Sequence, residues 1–394
     1  MKKVLIYFVI VLVAINGLII VSDSTYLYKG IANTYLKGRK GPGLFDLKTF
    51  PVDELSPATE SAKLHHKTTL YKLTEADKDS LLAIRTNTFM LIHQDSVAQF
   101  FMAEDSLLNK PTNSFSMAKS IVSLCIGIAI EKGLIASIEE PVGNYLPPFN
   151  NGKLANITIN HLLTMSSGLH WIESGANPFS HHAKAYYGND LSSLILSLEY
   201  EKPPGEYFEY KSGNSQLLAA IVEQASGMSI AEFTEQYIWK KIGAENSAYW
   251  SLDREKGMAK AFCCFYANTA DFGKLGLLML HRGILNGDTI IPPGYIDRSI
   301  EPANLQTPEG ESNRYYGKHW WVFQEDEPAW HGYYARGILG QYIMVFPKQA
   351  LVLVRTGHQR KSKSDGYHPD DIYLYLNIAK DYIAHEKRHQ SSKS

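Results

Sequence analysis

The clearest pattern in the chain is a largely apolar run at 121–130, which directly follows a more polar stretch at 113–120. The run is apolar nearly all round a helical wheel, which predicts a buried central helix that begins near Phe115. Ser116 and Lys119 are three residues apart, so both side chains lie on one face of that helix in its first turn. A hydroxyl and an amine at the start of a buried helix indicate chemistry rather than packing alone.

Further periodic segments predict an α+β fold. Two apolar segments around a polar turn, 88–92 and 97–102, predict a hairpin that leads into the Ser116 helix. Helices are predicted at 74–84, 191–198, 216–225, 272–280 and 370–384, and late strands at 320–323, 340–346 and 351–356. Early strands then pair with late ones in an antiparallel sheet flanked by helices. An all-helical subdomain at about 120–260 is inserted, and a ligand cleft is expected between the layers.

The N-terminus predicts an exported protein. Met1 and two lysines precede residues 4–21, which carry no charge, so residues 1–21 are a membrane anchor or a signal, with the anchor favoured. Residues 22–64 are rich in Gly and Pro and are interpreted as a spacer that is partly ordered at best. The main domain is placed at 65–386, in the periplasm or outside the cell, and a charged tail at 387–394.

Composition excludes several classes of protein. The chain has 39 basic and 40 acidic residues and no basic stripe, so nucleic acid is not an expected partner. Three cysteines are too few for a disulfide framework, and the adjacent Cys263 and Cys264 are expected to be buried thiols. His181 and His182 are expected to be solvated loop residues without a ligand role. No metal site and no cofactor are predicted.

The pairing of Ser116 with Lys119 has a specific chemical logic. A serine hydroxyl needs a neighbouring base before it becomes a good nucleophile. Lysine can be that base only when neutral, which requires its pKa to fall from ~10.4 toward ~7. Burial and the positive end of the helix dipole both act in that direction. The alternative is coincidence, since roughly one chance S-x-x-K is expected in a chain of this length.

Four motifs resemble those of one family, the serine β-lactamases of class C with their relatives the penicillin-binding proteins, esterases and D-amino-acid amidases. The motifs are Ser116-x-x-Lys119, the His161-Leu162-Leu163-Thr164 segment within 159–169, Tyr210-x-Ser212 after Pro204-Gly205, and the strand opening at 337–341. In order and spacing they cover residues 89–357, which is most of the predicted exported chain.

The resemblance implies catalytic roles. Ser116 would be the acylated nucleophile and Lys119 its base or proton relay. Tyr210 would be the second acid/base, in an environment that stabilises a phenolate through the nearby Lys119 ammonium. His161 would be structural and hold its own loop.

The resemblance also implies substrate contacts. Ser212 would lie beside Tyr210 and contact substrate or relay a proton. The oxyanion hole would combine the backbone N–H of Ser116 with one from the late strand that starts at Gly337, from Ile338. Asn268 is a further candidate for the cleft lining.

Departures from the family pattern concern the substrate. Residues 335–337 read Ala-Arg-Gly where β-lactamases and transpeptidases carry Lys-Thr-Gly, so the cation for a substrate carboxylate is missing or displaced to Arg336. A serine at position 212 instead of asparagine points the same way. Both features look like the 6-aminohexanoate-dimer hydrolase and esterase branch.

The leading hypothesis is therefore a membrane-anchored serine hydrolase that cleaves a small-molecule or peptide-like ester or amide through an acyl-enzyme. The first alternative is a true β-lactamase or D-Ala-D-Ala carboxypeptidase, which nitrocefin hydrolysis would distinguish. The second is a sensor or scaffold with the same fold and no turnover. Retention of Ser116, Lys119 and Tyr210 together argues against that second alternative.

Overall fold

The computed structural model describes residues 1–61, 63–107, 110–363 and 367–391. The helices in these ranges are α1 (Lys2–Val21), α2 (Tyr26–Asn33), α3 (Glu75–Ala83), α4 (Ala118–Glu131), α5 (Ile159–Leu163), α6 (His181–Tyr187), α7 (Leu191–Leu196), α8 (Ser212–Ser226), α9 (Ile230–Thr234), α10 (Thr269–Leu280), α11 (Pro293–Ser299) and α12 (Asp371–Ser391). The strands are β1 (Val52–Leu55), β2 (His65–His66), β3 (Thr86–His93), β4 (Ser96–Met102), β5 (Thr112–Asn113), β6 (Ala248–Ser251), β7 (Phe265–Ala267), β8 (Ile284–Leu285), β9 (Asp288–Thr289), β10 (Trp321–Phe323), β11 (Gly332–Gly337), β12 (Gln341–Phe346) and β13 (Leu351–Gly357).

A seven-stranded sheet joins the two ends of the chain, in the order β10-β11-β12-β13-β3-β4-β2. The early strand β3 pairs antiparallel with the late strand β13, with Met90 opposite Val354. This pairing confirms the predicted α+β architecture. The strands β3, β12 and β13 are buried along their whole length, and each contains an apolar run in the sequence, at 89–92, 342–346 and 351–354.

Successive residues of the central strands enter two different cores, as the two-residue period of a strand requires. Met90 and Val352 belong to the core that also contains α10, whereas Phe89 and Leu353 belong to the core that contains α12. Gly276 lets α10 lie close to the sheet, because a Cβ there would be 2.4 Å from Val352 Cγ1. The sheet is therefore covered by helices on both faces.

The helical block runs from α4 to α9, and α4 is its buried centre. Every residue from Ala118 to Ala129 is buried. The structure starts this helix slightly later than predicted, since Phe115–Met117 form a 3₁₀ turn and the α-helix begins at Ala118. Ser116 therefore lies in the turn, and Lys119 in the first turn of α4.

Residues 22–64 were predicted to form a spacer that is partly ordered at best, but the described part of this region packs on the rest of the fold. It contains α2, and β1 pairs with β6 in a second sheet of order β1-β6-β7-β5. Phe50 and Leu55 are buried in the main core, and the Tyr26 hydroxyl donates to the Pro178 carbonyl at 3.0 Å. These contacts are all with distant parts of the chain, so local periodicity could not reveal them.

The two ends of the chain are helical. Within the residues that the structure describes, α1 is the one helix that is long and apolar enough to cross a membrane, with 20 residues and a mean hydropathy of 3.0. None of its residues is buried in the fold. At the other end α12 continues to Ser391, so it includes much of the predicted charged tail at 387–394. Residues 392–394 of that tail lie outside the described residues.

Candidate active site

Ser116 is held in a turn that its neighbours stabilise. Phe115, the preceding residue, has a φ of +46°, which is unfavourable for a residue with a side chain. Its backbone N–H donates to Asn113 Oδ1 at 2.8 Å, and Asn113 Nδ2 donates to the Tyr266 hydroxyl at 3.1 Å. The turn leaves Ser116 half-buried on the wall of a cavity of about 330 Å³.

Lys119 is directly below Ser116 and is almost fully buried. Its Nζ donates to Ser116 Oγ at 3.2 Å and to the Phe262 carbonyl at 2.6 Å. Burial lowers the pKa of Lys119 to about 8, and the negative charge of Glu173 partly opposes that shift. The amine can therefore be neutral at a mildly alkaline pH.

Tyr210 completes the group of residues predicted to be catalytic. Its ring centroid is 5.2 Å from Lys119 Nζ, and it lines the same cavity wall as Ser116. Burial raises the pKa of Tyr210 far above its usual range, while the nearby Ser116 hydroxyl and the charge of Arg336 oppose the shift only in part. The sequence predicted a stabilised phenolate, but the structure favours a neutral phenol, because desolvation outweighs the nearby positive charges.

Glu173 is a residue of this site that the sequence analysis missed. Its carboxylate accepts hydrogen bonds from the backbone N–H and the hydroxyl of Ser212 and from Trp171 Nε1, each at 2.7 Å. Burial alone would raise the pKa of Glu173, but His182, Lys119 and the Ser212 N–H lower it to about 2. Glu173 therefore adds a fixed negative charge to the cavity wall. The available signal was a lone acidic residue a few positions after the motif segment at 159–169.

Two residues that were predicted to contact substrate, Ser212 and Asn268, do not line the Ser116 cavity. Ser212 is fully buried at the start of α8, where its hydroxyl donates to Glu173. Asn268 caps α10 by accepting from the Asp271 N–H at 3.1 Å, and it lines a different cavity, together with Thr88. Asn residues favour this capping position because the side-chain oxygen satisfies a free N–H of the first turn. The structure therefore does not bring Asn268 to the Ser116 cavity.

Gly337 and Ile338 do line the same cavity as Ser116. Gly337 ends β11 so close to the nucleophile turn that a Cβ would be 2.2 Å from the Ser114 carbonyl oxygen. Ile338 begins the connection to β12, and Gln341 Nε2 donates to its carbonyl at 3.1 Å. Arg355 fixes the same connection through the carbonyl of Leu339 at 2.9 Å.

Cys263 forms another part of the cavity wall, and here the prediction of buried free thiols is wrong. Cys263 and Cys264 are joined by a disulfide, with Cys264 at a φ of +66°. The bond directly follows Phe262, whose carbonyl accepts from Lys119. Neighbouring cysteines can bond only when the backbone turns between them, and that turn is set by the tertiary fold.

His182 was predicted to be a solvated loop residue, and the structure contradicts this prediction. It belongs to α6 and lines the cavity, with its Nδ1 3.2 Å from Glu173 Oε1. By contrast, His161 accepts from the Thr158 N–H at 3.1 Å and so has the kind of loop-holding contact expected of it.

Arg336 is the cation nearest to the position of the missing Lys-Thr-Gly lysine, and its guanidinium is already engaged. It stacks on the Trp321 ring at 3.4 Å and donates to the Tyr367 carbonyl at 3.0 Å. The side chain is buried and contributes to the cavity lining.

The family is defined by comparison with known proteins. The family model of the beta-lactamases matches residues 109–377, well over half of the chain. The chain belongs to the beta-lactamase family, as its motifs predicted, and the family comprises hydrolases of the esterase, amidase and penicillin-binding-protein type.

Individual relatives lie in the predicted branch. The 6-aminohexanoate-dimer hydrolase of Paenarthrobacter ureafaciens is 23% identical over 282 residues, which cover 67% of this chain and 70% of the relative. Esterase EstB of Burkholderia gladioli is 27% identical over 168 residues, or 39% of this chain and 41% of the relative. A solved Bacillus anthracis structure, provisionally described as a 6-aminohexanoate-dimer hydrolase, matches with a TM-score of 0.76 and 20% identity over 88% of this chain and 94% of that one. This last likeness concerns the fold alone.

Proposed function

We propose that this protein is a serine hydrolase that cleaves an ester or amide through an acyl-enzyme on Ser116. The observation that carries the proposal is that Ser116 and Tyr210 line one cavity and that the buried Lys119, whose pKa is lowered, contacts Ser116 from beneath it. Hydrolases of esters and amides among the relatives support the same reaction class.

In the acylation step neutral Lys119 takes the proton of Ser116 as Oγ attacks the substrate carbonyl. The backbone N–H groups of Ser116 and Ile338 stabilise the negative oxygen that forms. Tyr210 is a neutral phenol, so it can give its proton to the departing alcohol or amine, and the Lys119 ammonium then restores it.

In deacylation a water molecule is the nucleophile and Ser116 is the leaving group. Lys119, neutral again, takes a proton from a water molecule that attacks the acyl-enzyme carbonyl. As the intermediate collapses, Ser116 Oγ recovers its proton from Lys119 and the carboxylic acid leaves. The net reaction is ester or amide plus water to acid plus alcohol or amine.

The direct test is Ser116→Ala assayed with p-nitrophenyl butyrate. We expect kcat/KM to fall on the order of 10³-fold or more, because the nucleophile is lost. Ser106→Ala, at an exposed serine remote from the cavity, is the matched control and should behave like the wild type. Retained turnover by a folded Ser116→Ala protein would contradict the proposal.

Activity on β-lactams or on D-Ala-D-Ala peptides is the alternative function, and nitrocefin hydrolysis by the same protein tests it. The Arg336 guanidinium is occupied by Trp321 and the Tyr367 carbonyl, which leaves it poorly placed to bind a free substrate carboxylate. We therefore expect little nitrocefin hydrolysis beside turnover of nitrophenyl esters. Any turnover that depends on Ser116 excludes a role solely as a sensor or scaffold.

We further propose that α1 anchors the chain and that the catalytic domain is exported. The length and hydropathy of α1 support this placement. The Cys263–Cys264 disulfide supports it independently, since disulfides persist mainly in oxidising compartments. The catalytic domain that we propose includes the region from α2 onward, because that region packs on the hydrolase fold.

A further inference from the structure

The segment that follows α1 forms one wall of the Ser116 cavity. Leu27, Gly30 and Ile31 of α2 and the following Tyr35 line it on the side away from the sheet. Gly30 is packed on the Tyr187 ring of α6, where an added Cβ would be 3.4 Å from Cδ2. The wall is therefore mainly apolar, and it is built by residues just beyond the apolar N-terminal helix.

This wall lies beside α1 and not beyond its end. The Tyr28 hydroxyl donates to Asn16 Oδ1 at 2.5 Å, and Lys184 of α6 pairs with Asp23 at 2.8 Å in the connection between α1 and α2. Asn16 is five residues before Val21, which at 1.5 Å per residue is about 7 Å below the outer end of α1. With α1 across a membrane, α2 lies at the depth of the outer interface.

The exposed side of the same segment has the composition of an interfacial surface. Tyr28, Ile31, Tyr35 and Leu36, which we term the α2 patch, are 42%, 45%, 66% and 78% exposed. Exposed lysines, including Lys37, flank it. Aromatic and aliphatic side chains beside lysines are typical of segments at the boundary between headgroups and acyl chains. Ile31 and Tyr35 belong both to this patch and to the cavity lining, so the two surfaces are continuous.

We propose that the substrate is an amphiphilic ester whose apolar chain enters the cavity from the membrane surface and lies along α2. The carbonyl would then reach Ser116 while the chain contacts Leu27 and Ile31. This inference rests on the proposed function, since it assigns a substrate class to the same nucleophile. Burial of each additional methylene against this wall favours the longer chain.

The test uses the full-length protein in vesicles of phosphatidylcholine with phosphatidylglycerol. The measured quantity is the ratio of kcat/KM for p-nitrophenyl octanoate to kcat/KM for p-nitrophenyl acetate. We expect a ratio of about ten or more in the wild type and at least a fivefold lower ratio in Ile31→Asp, because a charge would replace part of the chain-binding wall. Partitioning of the octanoate into vesicles is the same for every variant, so it cancels in the comparison.

Leu82→Asp is the matched control, at a leucine of α3 that is 50% exposed and outside both the cavity lining and the α2 patch. It should retain the wild-type ratio. Should Ile31→Asp fail to fold, Tyr35→Ser makes the same comparison at an exposed lining residue.

A flat chain-length profile together with Ser116-dependent acetate turnover overturns this inference alone. An unchanged ratio in folded Ile31→Asp does the same. Absence of any Ser116-dependent turnover overturns both proposals.

Discussion

At the scale of single residues, Lys119 sets the pH dependence. Its neutral form is the proposed base and its pKa is about 8, so kcat/KM should rise with pH through about 8. The Glu173 charge raises the pKa of Lys119, so Glu173→Gln should move the rising limb to lower pH. Profiles of kcat/KM for a nitrophenyl ester between pH 6 and 10 measure both effects. A limb that does not move, or moves upward, contradicts the assigned interaction.

Lys119 is also expected to lower the stability of the fold while it supports activity. The pKa of Lys119 in the folded protein lies below its usual value of 10.5, so burial of the ammonium destabilises the fold fully below pH 8 and ceases to do so above about 10.5. Lys119→Met should abolish turnover and raise the free energy of unfolding at pH 7 by about 1–3 kcal/mol.

Urea denaturation of the wild type and Lys119→Met at pH 7 and pH 10 tests this conflict. We expect the gain in stability to shrink toward the higher pH, because the wild-type lysine is neutral there in the fold. A Lys119→Met protein that is less stable than the wild type at pH 7 contradicts the prediction.

At the scale of elements, the connection from β11 to β12 determines where the second oxyanion donor lies. Gln341 holds this connection in place through its side-chain amide. The amide donates to the carbonyls of Ile338 and Gly357 and accepts from the Gly357 N–H at 3.0 Å. Gln341→Met keeps the side-chain size but leaves these buried groups without partners. We expect it to reduce the free energy of unfolding by about 1–3 kcal/mol and to lower kcat more than it changes KM. Unchanged kcat with reduced stability would show that the connection does not position the reacting atoms.

The elements also show what sequence periodicity can and cannot reveal. The helix predicted at 74–84 is confirmed as α3, and the Thr74 side chain caps it by accepting from the Asp77 N–H at 3.1 Å. The strands at 340–346 and 351–356 were predicted because their buried apolar runs are local signals. By contrast, α2 is a short helix whose contacts, such as Tyr26 with Pro178, are with distant residues. Its place on the cavity wall could not be predicted from local pattern.

The candidate site likewise contains some residues that the sequence predicts and others that it does not reveal. Ser116, Lys119 and Tyr210 were predicted because each occupies a motif of fixed spacing, and the structure places them together. Glu173 belongs to no such motif, and its environment is created by Ser212, which is distant in the chain. Neither its lowered pKa nor the raised pKa of Tyr210 could be inferred without knowing which groups are buried.

At the scale of the whole molecule, the proposed anchor α1 would hold the chain in a membrane. Carbonate extraction of membranes from expressing cells should leave the full-length protein in the pellet, because a spanning apolar helix resists alkaline washing. Intact mass should include residues 1–21 apart from processing of the initiator methionine. Recovery in the soluble fraction with a mass lower by this segment would instead identify α1 as a cleaved signal.

The most direct test of the central claim is to map where an active-site-directed fluorophosphonate attaches to the full-length protein. We expect a single adduct on the peptide that contains Ser116. It should be lost in Ser116→Ala and weakened in Lys119→Met, because the attack on the reagent needs both the nucleophile and its base. An adduct on a different residue, or labelling that survives in Ser116→Ala, would contradict it.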